Sequence, residues 1–179
     1  LEFESLSREN GKDMGSIARR SSSSWTVTVT AKSGHSSGMF SDRAGYGANY
    51  ELARILDAFR RDLREPNATF NVGMMMGGAS AEMNAAETGG SFSGKTNVIP
   101  AAASARGDLR TLSNEQTERI QKRMQEIVSQ SLPGTKAEIR FEEGYPAMPP
   151  TEGSRALLNV LNTVNRDLGL EPMTELDPL

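Results

Sequence analysis

The chain of 179 residues carries 20 basic and 23 acidic side chains, a formal net charge of -3, and 36% hydrophobic residues, enough for one modest core. It has no basic block of the kind that neutralises phosphates and no run of about 18 apolar residues, so neither a nucleic-acid partner nor a membrane span is expected. The absence of cysteine excludes disulfides, thiolate nucleophiles and thiolate zinc sites, while leaving the compartment open.

The first residues lack the basic and apolar regions of a secretory leader. They open without methionine, as though inside a strand, so a piece of a longer protein is expected. Over 24–32, Trp25, Val27, Val29 and Ala31 alternate with Thr26, Thr28 and Thr30, which predicts a strand with one buried and one wet face. The glycine-punctuated segment after it, which holds His35, predicts a loop. A helix is expected over 46–63, with Leu52, Ile55, Leu56, Phe59 and Leu63 at helical spacing and Glu51, Arg54, Arg60 and Arg61 on the wet side. Pro66 and Asn67 end it. A second strand over 69–76 sets Phe70, Val72 and Met74 on one face, and the small, polar stretch 77–95 reads as a long mobile loop.

A third, alanine-rich strand is expected from near Asn97 to Arg110. The second helix is marked by Ser113 as N-cap with Gln116 three residues on, and by the stripe Ile120, Met124, Ile127 and Val128; Pro133 and Gly134 stop it. A fourth strand over 136–141 alternates Ala137, Ile139 and Phe141. The order β-α-β-β-α-β predicts an α+β, ferredoxin-like domain: a four-stranded antiparallel sheet with both helices on one face. Its threonine face is left to solvent or to a partner. Beyond a proline-rich crossing, Ala156, Leu157, Val160, Leu161, Val164 and Leu168 make the apolar stripe of a third helix. No fifth strand is left for it to pack on, which points to a neighbouring domain.

His35 is the chain's one histidine. Without cysteine it cannot complete the usual zinc site of three or four protein ligands. With no G-x-S-x-G turn, a self-contained serine hydrolase using Ser36 or Ser37 is not expected either. Read alone, His35 is either a solvated loop histidine or an imidazole held out to serve something beyond this domain. Arg110 is either a surface ion-pair member, with Asp108 or Glu138, or a guanidinium fork for a substrate carboxylate. Asn97 either caps its own turn or offers its amide to a reacting carbonyl. Glu4 reads by default as a polar strand end, Glu142 and Glu143 as a solvated strand exit, and Met74, Met75 and Met76 as filler.

Together these residues form a pattern. The stretches SWTVTVTAKSGHSS and TNVIPAAASARGDLR, with the helix between them and the helix–strand close after them, run in order over residues 20–145. In this they resemble the M20 family of metallopeptidases, which includes carboxypeptidase G2-like and succinyl-diaminopimelate desuccinylase-like enzymes. The resemblance implies the central part of a di-zinc peptidase or amidohydrolase. Residues 1–20 are then a catalytic-domain remnant and hinge, 21–141 a lid that pairs two subunits into a homodimer, and 142–179 the return to the catalytic domain.

The resemblance also implies roles. His35 reaches across the dimer to polarise the scissile carbonyl of a peptide or N-acyl amino acid, Asn97 lines the same cleft, and Arg110 binds the substrate's carboxylate. Glu4 ligates one zinc ion, although Ser5 stands where the family has proline. The family's other metal ligands and its general base are missing from this sequence, so the chain alone is expected to be catalytically silent. The rival reading is a stand-alone ferredoxin-like module that binds a small molecule or pairs without catalysis, which leaves both motifs without a task.

Overall fold

A computed structural model describes residues 6–178. Two short strands, β1 (Arg8–Glu9) and β2 (Lys12–Gly15), precede β3 (Ser22–Ala31) and α1 (Gly47–Asp62). There follow β4 (Thr69–Phe70), β5 (Met74–Gly78), β6 (Ser80–Met83), β7 (Gly90–Ser93), β8 (Ala102–Arg110) and α2 (Asn114–Ser129). The chain closes with β9 (Thr135–Tyr145), α3 (Glu152–Asp167) and β10 (Thr174–Glu175). The main sheet runs β4–β8–β3–β9 with β5 also on β8, every pair antiparallel. This is the α+β architecture expected from the element order.

Register explains the core. Trp25 faces Gly107 and Phe141, Val27 faces Ala105 and Ile139, and Val29 faces Ala103 and Ala137. Because side chains on a strand alternate, these positions share one face. They join Leu52, Ile55 and Phe59 of α1 and Ile120, Met124 and Ile127 of α2 in a single buried cluster, so both helices cover that face. The small residues of β8 make room for Trp25; a side chain at Gly107 would collide with its indole and with the Asn71 carbonyl. Trp25 meets Phe59 edge-on, with centroids 5.6 Å apart, and its Nε1 donates to the Asp108 carbonyl at 3.1 Å. A buried indole thus keeps its polar atom satisfied. At the start of α2, Ser113 Oγ accepts from the Gln116 N–H, as the capping pattern predicts. The Gln116 side chain accepts from the Leu112 N–H and donates to the Pro66 carbonyl, tying α2 to the end of the α1 segment.

Other expectations are corrected. Glu51, placed on the wet side of α1, is fully buried; its carboxylate takes Arg54 Nη2 at 2.7 Å and the Leu132 N–H at 2.9 Å. The second strand is broken into β4 and β5, and Val72 points away from the core, 37% exposed. The third strand begins at Ala102, with Asn97 in a turn ahead of it, and the fourth runs on to Tyr145.

Residues 77–95 are not a structureless loop. They hold the hairpin β6–β7, registered from Ser80↔Ser93 to Met83↔Gly90, and Glu87 in its turn has a φ of 54°. The turn lies across the outer face of the sheet, where Glu87 pairs with Arg106 and Arg140. The same two arginines pair with Glu142, so this residue belongs to an ion cluster and is not a solvated strand exit. The Arg106 hydrogen bond, helped by Arg140, pulls the Glu142 carboxyl down to about 2. The threonine face is therefore covered in part by the chain itself. Thr26 is buried and accepts from Arg106 Nη1 at 2.8 Å, while Thr28 and Thr30 stay exposed.

The apolar stripe of α3 faces solvent, with Leu157 71%, Val160 61% and Val164 47% exposed. Its opposite side turns inward, and the buried Asn162 amide both donates to and accepts from the Met173 backbone. Nearby, β2 pairs β10 in parallel. Among the described residues no helix is long and apolar enough to cross a membrane.

Candidate functional site

After β3 the chain stays attached to the segment that leads into β8. The Ala31 N–H donates to the Ala101 carbonyl at 2.8 Å, Ile99 N–H to Gly34 at 2.8 Å, and Ser36 N–H to Asn97 at 2.9 Å. His35 and Val98 form an isolated antiparallel bridge, and the buried Ile99 anchors the seam. This zipper brings His35 and Asn97, 62 positions apart by their numbers, to the same end of the sheet. The residues between them supply α1 and the hairpin, which is why two distant motifs converge.

His35 is exposed and caps the short turn Ser36–Gly38, its Nδ1 accepting from the Ser37 N–H at 3.2 Å with the Ser37 hydroxyl 2.8 Å away. Two residues beyond that turn, Phe40 adopts a left-handed φ of 66° and is 58% exposed. A bulky residue in that region is strained by about 1 kcal/mol. Its ring lies 5.2 Å from the half-buried Tyr46 and 5.7 Å from the exposed Tyr50, so an aromatic trio flanks the histidine turn.

Arg110 lies at the other end. From Ala102 to Arg110, β8 advances about 3.4 Å per residue, which separates the two ends by about 27 Å. Arg110 Nε donates to Asp108 Oδ2 at 3.0 Å and its Nη1 lies 3.5 Å from the Tyr145 hydroxyl. Those hydrogen bonds, with Asp108 foremost, hold the guanidinium more firmly protonated than usual. The ion pair with Asp108 is one the sequence anticipates; Glu138, the other candidate, pairs with Lys136. Arg110 also lines an open cavity of about 680 Å³, together with Arg19, Arg20, Tyr145 and Met148. Arg20 is steadied by donating to Thr69 Oγ1 at 2.8 Å. The three arginines, set against the one carboxylate of Asp177 in the same lining, leave the cavity net positive and suited to an anionic group. Sequence reasoning misses Arg19 and Arg20 because no motif marks them and they stand some ninety positions before Arg110; a doubled arginine just ahead of a strand was the one signal available.

Among the described residues, no three of His, Asp and Glu come together in a way that could hold a metal ion. Glu4, the one expected ligand, lies outside the described residues.

The sequence profile of the peptidase dimerisation domain matches residues 17–136. A search of curated protein sequences returns no match. Among solved structures, the chain resembles aminopeptidase PepT from Bacillus cereus, with a TM-score of 0.66 and 16% identity over 94% of this chain and 41% of that one. A tripeptidase from Staphylococcus aureus aligns with a TM-score of 0.64 and 17% identity over 90% of this chain and 39% of that one. The aminobenzoyl-glutamate utilization protein from Klebsiella pneumoniae gives 0.58 and 17% over 89% and 37%. At such identities the likeness is one of fold, and the chain spans about two fifths of the length of these proteins.

Proposed function

The chain belongs to the M20 peptidase dimerisation-domain family, and from that membership we propose that it pairs two copies of a longer hydrolase, lending the His35 of each to the cleft of the other. One observation carries this reading. His35 and Asn97 sit at one end of the sheet and Arg110 at the other, about 27 Å away by strand rise. A single copy cannot turn both ends onto one amide substrate. Two copies related by a twofold axis can.

In this arrangement the free nitrogen of His35 donates to the scissile carbonyl and stabilises the charge that develops on its oxygen. The Asn97 amide lines the same cleft. Arg110 grips the carboxylate of a peptide or N-acyl amino acid, with Arg19 and Arg20 adding positive potential around it. The exposed Phe40 and Tyr50, backed by the half-buried Tyr46, give the pairing surface the rigid aromatic anchors that interfaces favour.

Residues 21–141 act as the lid, 1–20 as a catalytic-domain remnant and hinge, and 142–179 as the return to a catalytic domain, on which the apolar stripe of α3 packs. In that domain Glu4 would supply one ligand to two zinc ions, which would lower the pKa of the attacking water.

In the full-length hydrolase, His35→Ala should lower kcat about a hundredfold to a thousandfold, the usual worth of an oxyanion donor, with the dimer's mass unchanged. Undiminished turnover in an intact dimer would remove His35 from the mechanism. Metal-dependent turnover by the 179-residue chain alone would contradict its assignment as a pairing lid.

A further inference from the structure

We infer that Ser37 is a positioning residue, which locks the His35 imidazole in the tautomer that carries its proton on Nε2. The inference rests on the reading of His35 as a hydrogen-bond donor to substrate, and it supplies what that reading lacks: a reason why this ring should donate.

The reason lies in the turn. His35 has extended backbone angles, φ −74° and ψ 139°, and stands as N-cap of the turn Ser36–Gly38. The first N–H groups of any helical turn have no partner within it, so a cap must supply an acceptor. Here the acceptor is Nδ1, which takes the Ser37 N–H at 3.2 Å. A backbone amide can only donate, so Nδ1 must meet it with a lone pair. A neutral imidazole has one protonated nitrogen, and with Nδ1 accepting, that nitrogen is Nε2. The Ser37 hydroxyl, 2.8 Å from the same Nδ1, then has its proton to offer and reinforces the assignment.

The turn itself is well held. Gly38 N–H donates to the His35 carbonyl at 3.0 Å, and Met39 N–H to Ser36 at 3.1 Å. The Ser36 N–H is anchored on Asn97 and His35 is bridged to Val98. Nε2 has no hydrogen bond among the described residues, and His35 is exposed. The opposite tautomer would present a lone pair outward, which repels a carbonyl oxygen. Ser37 therefore decides whether His35 arrives as donor or acceptor.

Because His35 is the chain's only histidine, a long-range 1H–15N spectrum of the 15N-labelled chain contains one imidazole and needs no assignment. At a pH where the ring is neutral, the expected spectrum shows Nε2–H alone, with Nδ1 at the position of an unprotonated acceptor nitrogen. Ser37→Ala keeps the backbone donor and should leave Nε2–H dominant. Ser37→Pro removes both donors and should relax the ring toward the mixture of tautomers that a free imidazole shows in water, with the β3 and β8 amide signals reporting whether the fold is kept.

A wild-type ring that carries its proton on Nδ1, or that already shows the free-imidazole mixture, would overturn the inference whatever the variants do. So would a folded Ser37→Pro chain with an unchanged tautomer ratio. The readout involves no turnover. An inert His35→Ala substitution would remove the catalytic reading and leave the tautomer result standing, and the reverse holds equally.

Discussion

At the outer face of the sheet, Glu142 accepts from Arg106 at 2.6 Å and pairs with Arg140, and its carboxyl is held at about 2 against an ordinary 4.5. A carboxyl whose folded-state pKa is depressed stabilises the fold above its unfolded value and ceases to do so as pH falls through the folded one. The contribution of Glu142 should thus be complete above about 4.5 and lost as pH falls toward about 2. The side chain is 42% exposed, so solvent screening keeps the energy small even though the titration is displaced. Carboxyl NMR should show its midpoint rising toward the ordinary range in Arg106→Ala. An unmoved midpoint would mean that Arg106 is not the cause. The spacing of Arg140 and Glu142 on β9 hints at one pair, but Arg106 and Glu87 come from β8 and a hairpin turn and meet them only when the sheet forms. Glu51 was hidden for a related reason: helical spacing predicts which face a residue takes, not that a backbone N–H 81 positions away will satisfy a carboxylate there. The Arg110–Asp108 pair was legible because residues two apart on a strand share a face.

Elements with strong periodicity read well, and those without it did not. β3, α1 and α2 declare themselves through alternation, a helical stripe or a cap. The hairpin β6–β7 has strands of only four residues; Ala81 and Met83 alternate in β6 but are merely half-buried, and β7 is exposed throughout, so the pattern is too short and weak to betray it. α3 has a clear stripe, yet that stripe faces solvent in this chain. The contrast with α1 can be measured. Leu52→Ala, in the buried cluster, should cost about 2–5 kcal/mol by chemical denaturation. Leu161→Ser, on the stripe of α3, should change the stability of the chain by no more than about 0.5 kcal/mol. If both substitutions destabilised the chain alike, the α3 stripe would already be covered within it, and the case for a neighbouring domain packing there would weaken.

At the scale of the molecule, the element order conveys the α+β sheet because each segment's pattern agrees with its neighbours'. The convergence of His35 with Asn97 and the remoteness of Arg110 do not follow from spacing. Asn97 is only 13 positions from Arg110, but β8 lies stretched between them, whereas the 62 positions from His35 to Asn97 fold back on themselves. In the proposed function that geometry divides the substrate's contacts between two subunits, an arrangement open to complementation. In the longer protein of that proposal, His35→Ala and Arg110→Ala should each be nearly inactive as a homodimer. Mixed by unfolding and refolding together, they should recover activity in about a quarter of the clefts, since random pairing makes half of the dimers mixed and each mixed dimer keeps one intact cleft. A mixture no more active than its two parents would contradict the proposal that His35 of one copy and Arg110 of the other serve the same substrate.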